Sequence, residues 1–177
     1  RFELGAGVSS SGVVVSSGMT LVVSAGTVSN TVVSSGGALE LLSGGVADPT
    51  VILSGGSEII SAGGTDLGAL VSGGRQFDGG YASGVTVSSG GLQAVEQGGT
   101  AIGTIVKSGG TEFLYSGGVL SHVTIASGGT LELVGGTSIP AGATLSSGAI
   151  LALGSGATLT SNTIGRGLTV DALSAGT

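Results

Sequence analysis

Ten acidic side chains are the main resource for reaction chemistry in this 177-residue chain. A glycoside-cleaving site would need two carboxylates, or carboxylates with Arg or Lys, gathered on one face. Glu58 and Glu112 each stand two residues after a Gly-Gly pair, and Gln76 and Gln93 occupy the same offset between them. That spacing predicts a ladder, Glu58, Gln76, Gln93, Glu112, on one face. It is expected to be a solvated polar ladder on a strand, because two glutamine positions separate the acids. Arg75, Phe77, Asp78 and Tyr81 form the densest cluster of large side chains. They read as a locally shortened repeat, with a ligand contact as the alternative.

Other chemistries lack their residues. His122 is the lone histidine and there is no cysteine, so no metal site is expected and His122 is read as an exposed strand residue. The sequence contains no phosphate-binding glycine loop, no G-x-S-x-G nucleophile elbow and no calcium-binding repeat of the G-G-x-G-x-D type. Asn30 and Asn162 lack a hydroxyl residue two positions on, so neither is an N-glycosylation sequon. Neither catalytic residues nor a cofactor are expected. The only fixed cations are Arg1, Arg75, Lys107 and Arg166, unclustered in a chain of net charge −6, which argues against nucleic-acid binding.

The positions of these residues are set by glycine. Gly-Gly pairs begin at 36, 44, 55, 63, 73, 79, 90, 98, 109, 117, 128 and 135, and steps of 11 and 8 alternate through much of the series. A period of about 19 residues marks a solenoid. An aliphatic column recurs with it: Val15, Val33, Ile52, Val87, Val106 and Ile125. Val71 joins them if one residue is missing before Gly73, and Leu145 follows. Two residues earlier stand Val13, Thr31, Thr50, Ala69, Val85, Thr104 and Val123. Period-2 alternation predicts strands. No single coil can bury its apolar face, so coils must stack, each running the same way, into a parallel β-helix. Glycine supplies the left-handed corners such a coil needs.

Composition agrees. There are 39 glycines without a Gly-X-Y period and only two prolines, which excludes collagen. Mean hydropathy is +0.62, too apolar for a disordered linker, yet no run reaches the ~18 residues of a membrane helix. Residues 1–136 are expected to form the regular β-helix, and 137–177 a degenerate continuation. The chain starts in mid-pattern without a signal sequence, which reads as a piece of something longer. An uncapped stack exposes a pairing edge, so the solenoid is expected to continue past a terminus or to stack on another copy.

Hydroxyl residues flank most corners. Ser35, Ser54, Ser72, Ser89, Ser108, Ser116 and Ser127 precede the glycine pairs, and Thr65, Thr100, Thr111 and Thr130 follow them. Small hydroxyl residues bond local backbone at turns. A regular exposed row of them would also be an acceptor surface for O-linked sugars or a contact face for another copy.

The repeat S-G-G-T-x-x-h-x-S-G-G-V-x-x-x-[TV]-x-h-x-S-G-G, where h is hydrophobic, stands here from Ser108 to Gly129. It resembles the AIDA-type repeat of bacterial autotransporter passenger domains, over about residues 12–136. The resemblance implies an all-β, single-stranded right-handed parallel β-helix displayed on the cell surface. It implies a non-enzymatic stalk or adhesin segment acting in self-association, biofilm formation or adhesion to host or bacterial surface glycans. Attachment to the outer membrane would run through a barrel that this chain does not contain. Some members are heptosylated on Ser and Thr by a protein O-heptosyltransferase. Carried onto this chain, the acceptors would be Ser54, Ser72, Ser89, Ser108, Thr111, Ser116, Ser127 and Thr130. A surface-layer or filament repeat and, less readily, a polysaccharide-processing β-helix enzyme are the alternatives.

Overall fold

From residue 2 to residue 125 each rung consists of three short strands joined by three corners. Residues 1–157 and 167–173 are described by the computed structural model; Thr158 to Thr160, Asn162 and Arg166 lie outside the described residues. Corresponding strands of successive rungs pair in parallel and build three sheets. Sheet 1 has ten strands, beginning with Phe2–Leu4, Thr20–Val23 and Ala38–Leu41. Sheet 2 has seven, from Ser9–Ser11 to Val119–Ser121, and sheet 3 has eight, from Val14–Val15 to Thr144–Leu145. The expected parallel β-helix is therefore present, and no helix occurs among the described residues.

The aliphatic column lies in sheet 3. Val15 pairs with Val33, Val33 with Ile52, Ile52 with Val71, Val71 with Val87, Val87 with Val106, and Val106 with Ile125. All seven side chains are completely enclosed. Val71 fills its rung, as expected if the chain is one residue short before Gly73. The shortening has a local consequence: Ser72 aligns with Leu53 and Ser88 on the strand, not with the corner residues Ser54 and Ser89.

The two glycines of a corner pair do different work. Gly109 has φ +75°, a left-handed conformation that costs an L side chain about 1–2 kcal/mol. Gly110 has no such φ, but a Cβ there would sit 2.5 Å from the Val87 carbonyl oxygen of the rung before. So one glycine turns the chain and the other lets rungs approach. Backbone hydrogen bonds continue through the corners, as in Gly90 N–H to Gly109 O at 2.7 Å and Gly109 N–H to Gly128 O at 2.9 Å. That continuity satisfies turn amides that would otherwise be orphaned.

The third corner, between sheets 2 and 3, uses a single left-handed residue in every described rung but the one between Val46–Ala47 and Thr50–Leu53, where Asp48 and Pro49 stand instead. Gly12, Asn30, Gly68, Gly84, Gly103, His122 and Gly142 occupy it, all with φ between 49° and 75°. His122 is thus exposed, as expected, but at a bend and not on a strand. Asn and His tolerate this region better than branched residues do. Beyond residue 136, among the described residues, the strands Thr144–Leu145, Ile150–Leu153 and Thr169–Ala172 still add to sheets 3 and 1, whereas sheet 2 contributes only a bridge between Ser121 and Ala141.

Candidate functional site

Two surfaces of sheet 1 carry nearly all the distinctive side chains: its lumen face and its outer face. In the strand Ser57–Ile60, alternation turns Glu58 and Ile60 inward and Ser57 and Ile59 outward. The same phase holds in the strands of the next three rungs. Glu58 pairs with Gln76, Gln76 with Gln93, and Gln93 with Glu112, so the ladder read from the spacing exists. Its environment is the reverse of the one expected. All four side chains are fully buried, with Leu39 in the rung before and Leu131 in the rung after. The solvated ladder is overturned because the glycine pair fixes the strand's phase, and phase sends the second residue of each strand inward whatever its polarity.

The ladder is hydrogen-bonded in one direction. Thr104 Oγ1 donates to Gln93 Oε1 at 2.9 Å, and Gln93 Nε2 donates to Gln76 Oε1 at 2.8 Å. Gln76 Nε2 then donates to two carboxyls, Glu58 Oε2 at 2.8 Å and Asp66 Oδ2 at 3.1 Å. Asp66 comes from sheet 2 and Thr104 from the turn before a sheet 3 strand, so three walls of the shaft contribute. Asp78 lies two residues beyond Gln76 on the same strand and is likewise buried, accepting from the Gly80 N–H at 3.2 Å. Ala82 and Ala101 on the facing sheet 2 column leave room for these long side chains.

Desolvation dominates the acidity of this block. It pushes Glu58 well above the ordinary carboxylate range, the neighbouring Asp66 charge adds to that, and the Gln76 hydrogen bond opposes it. Burial raises Asp66 to about 7 against the opposing Gln76 hydrogen bond. Burial likewise raises Asp78 to about 7, with the Gly80 N–H opposing and the Glu96 charge reinforcing. Glu112 is raised by burial and by the Asp78 charge. No group of three metal-ligating side chains suited to an ion occurs among the described residues.

The outer face of sheet 1 is mixed in the same rungs: one row is Ser57, Arg75, Leu92 and Thr111, and the other is mainly apolar. That second row reads Glu40, Ile59, Phe77, Ala94, Phe113, Glu132 through consecutive pairings. Phe113 stacks with the exposed Tyr115, ring centroids 6.0 Å apart and planes 12° apart. Arg75 lies outside on this face beside Phe77, in a shallow depression with Ser54 and Ser57. The cluster Arg75, Phe77, Asp78, Tyr81 therefore does not converge. Arg75 and Phe77 face out from sheet 1, Asp78 faces in, and Tyr81 is exposed on sheet 2. Sequence reasoning missed this outer strip; its signal is the set of Ile59, Phe77 and Phe113 three residues after glycine pairs.

The proposed acceptor hydroxyls divide. Ser54, Ser89, Ser108, Ser116 and Ser127 are exposed, while Ser72, Thr111 and Thr130 are half-buried on strands. At the corners, Ser108 Oγ lies 2.6 Å from where a Cβ on Gly128 of the next rung would stand. The missing side chain leaves the hydroxyl uncovered from above.

No curated protein matches the chain. Among solved structures, a TibC-catalysed hyper-glycosylated TibA fragment is similar, at 26% identity over 98% of this chain and 92% of that one, with a TM-score of 0.48. Residues 72–129 match the family AIDA, described as an adhesin of the bacterial autotransporter system, probable stalk. Across those three rungs the chain is similar to the AIDA-type repeat of autotransporter adhesins.

Proposed function

We propose that the chain is a non-enzymatic stalk segment of a cell-surface adhesin passenger, and that it meets its partners through the outer face of sheet 1. The observation that carries this reading is the unbroken parallel stack over the matched residues, in which Asp78 and Glu112 turn into the lumen and Glu96 stands alone outside. The acids that cluster, Glu58, Asp66, Asp78 and Glu112, are enclosed in the shaft and cannot reach a polysaccharide, which disfavours the lyase or glycosidase alternative. The strip of exposed Ile59 and Tyr115 with half-buried Phe77 and Phe113 offers an apolar surface of the kind that contacts another copy or a sugar ring. Self-association and biofilm formation are the expected roles, with adhesion to surface glycans as the other use of the same face.

Modification fits the corners. The exposed hydroxyls of Ser54, Ser89, Ser108, Ser116 and Ser127 are the preferred O-heptosylation acceptors, with a protein O-heptosyltransferase as the modifying partner. The half-buried Ser72, Thr111 and Thr130 are weaker acceptors.

Beads coated with the chain test the adhesive reading. They are expected to aggregate, and Phe113→Ser with Tyr115→Ser should reduce aggregation while leaving thermal unfolding in place. Aggregation unaffected by this pair would contradict the contact face. Wild-type beads that bind neither each other nor a glycan-coated surface would contradict the adhesive role. Intact mass of material expressed in its natural host tests modification: a mass equal to the bare sequence removes it.

A further inference from the structure

Glu58, Asp66, Asp78 and Glu112 place four carboxyl groups inside one short length of shaft. Their surroundings supply few donors. Gln76 Nε2 serves two of them and the Gly80 N–H serves a third. Glu58 Oε1, Asp66 Oδ1, Asp78 Oδ2 and both oxygens of Glu112 have no hydrogen-bond partner in the protein. An ionised carboxylate in that position would be buried without a counter-charge, which proteins avoid by keeping the group neutral.

The groups that face each acid are all neutral or acidic. Glu58 meets Thr50, Gln76, Asp66 and Asp78. Asp66 meets Gln76, the backbone of Ala69, Asp78 and Asp48. Asp78 meets Gly80 and Glu96. Glu112 meets Asp78, with Gln93 and Leu131 in the adjacent rungs. The cations of these rungs, Arg75 and Lys107, are exposed on the outside of the shaft. The amide chain from Thr104 through Gln93 and Gln76 ends on two carboxyl oxygens sharing one nitrogen. Two negative charges cannot settle there together, so a proton must reside on that pair.

We infer that this lumen block is a proton-binding site built into the fold: the solenoid closes over Glu58, Asp66, Asp78 and Glu112 in their neutral acid form, so folding takes up protons and rising pH loosens the middle rungs. The direction follows from linkage. In the unfolded chain these groups lose their protons near pH ~4. In the folded chain Asp66 and Asp78 hold theirs to about 7, and Glu58 and Glu112 hold theirs well above the ordinary value. Between pH ~4 and ~7 the folded state binds more protons, so stability falls as pH rises through that window; the Asp66 and Asp78 contributions are lost above it, and those of Glu58 and Glu112 are lost as these groups ionise in turn.

The test is the denaturation midpoint of the whole chain from pH 4.5 to 8.5, read with infrared spectroscopy at pH 7. The expected result is a midpoint that falls with rising pH and a protonated-carboxyl C=O band in the folded protein. Folding at pH 6 should take up about two to four protons per chain, measured by calorimetry in buffers of different ionisation enthalpy. Glu112→Gln and Glu58→Gln should each weaken the band and flatten the midpoint profile. A midpoint that is level or rises with pH, with no acid band at pH 7, would overturn the inference. Should either variant fail to fold, the band and the proton uptake of the wild type decide alone.

Discussion

The inward columns of sheet 3 and sheet 1 run side by side up the same shaft and differ in one respect. The sheet 3 column is aliphatic from Val15 to Ile125. The sheet 1 column starts as Leu21 and Leu39, becomes Glu58, Gln76, Gln93 and Glu112, and returns to Leu131 and Leu151. Both are sealed from solvent. The difference teaches that position within the rung, and not hydropathy, decides what is enclosed. Within the polar block amides stack on amides and acids, and at its two ends Glu58 and Glu112 meet Leu39 and Leu131.

The contrast can be broken most severely at its polar centre. Gln76→Leu removes the donor shared by Glu58 and Asp66 and the acceptor of Gln93. Leaving those groups unpaired should cost about 3–5 kcal/mol at neutral pH, measured by chemical denaturation. The aliphatic column should respond through a void instead. Ile125→Ala is expected to cost about 2–5 kcal/mol, with little dependence on pH, because the loss is packing. The smallest effect should carry the opposite sign. Glu112 has two unpartnered oxygens and Leu131 in the next rung. Glu112→Leu should therefore leave stability unchanged or raise it by about 1–4 kcal/mol above pH 7. A loss of several kcal/mol there would show that Glu112 has a partner and that the block extends one rung further.

Much of the fold was legible because stacking repeats its demands. Glycine pairs give the period, and the Val and Ile column gives the register, including the residue missing before Gly73. Ladder membership of Glu58, Gln76, Gln93 and Glu112 was legible for the same reason. Their side of the sheet was not. In Ser57-Glu58-Ile59-Ile60, hydropathy allows either Glu58 or Ile59 to face out, and only the tertiary corner resolves the choice. The third corner escaped notice because one left-handed residue suffices there, and Asn30 or His122 serves as well as glycine. Ser72 was grouped with the corner hydroxyls because it precedes a glycine pair. The shortened rung draws it onto the strand instead. The outer strip was hidden by the scarcity of aromatics, which makes the three rings of Phe77, Phe113 and Tyr115 look incidental.

Thiol accessibility tests most directly whether rung position overrides polarity, since the chain has no cysteine of its own. Gln93→Cys and Phe113→Cys place a thiol at a polar lumen position and at an apolar outer one. The folded Phe113→Cys chain should react readily with a water-soluble thiol reagent, while Gln93→Cys should react only as fast as the shaft opens. Equal rates in the folded state, or faster reaction at 93 than at 113, would contradict it.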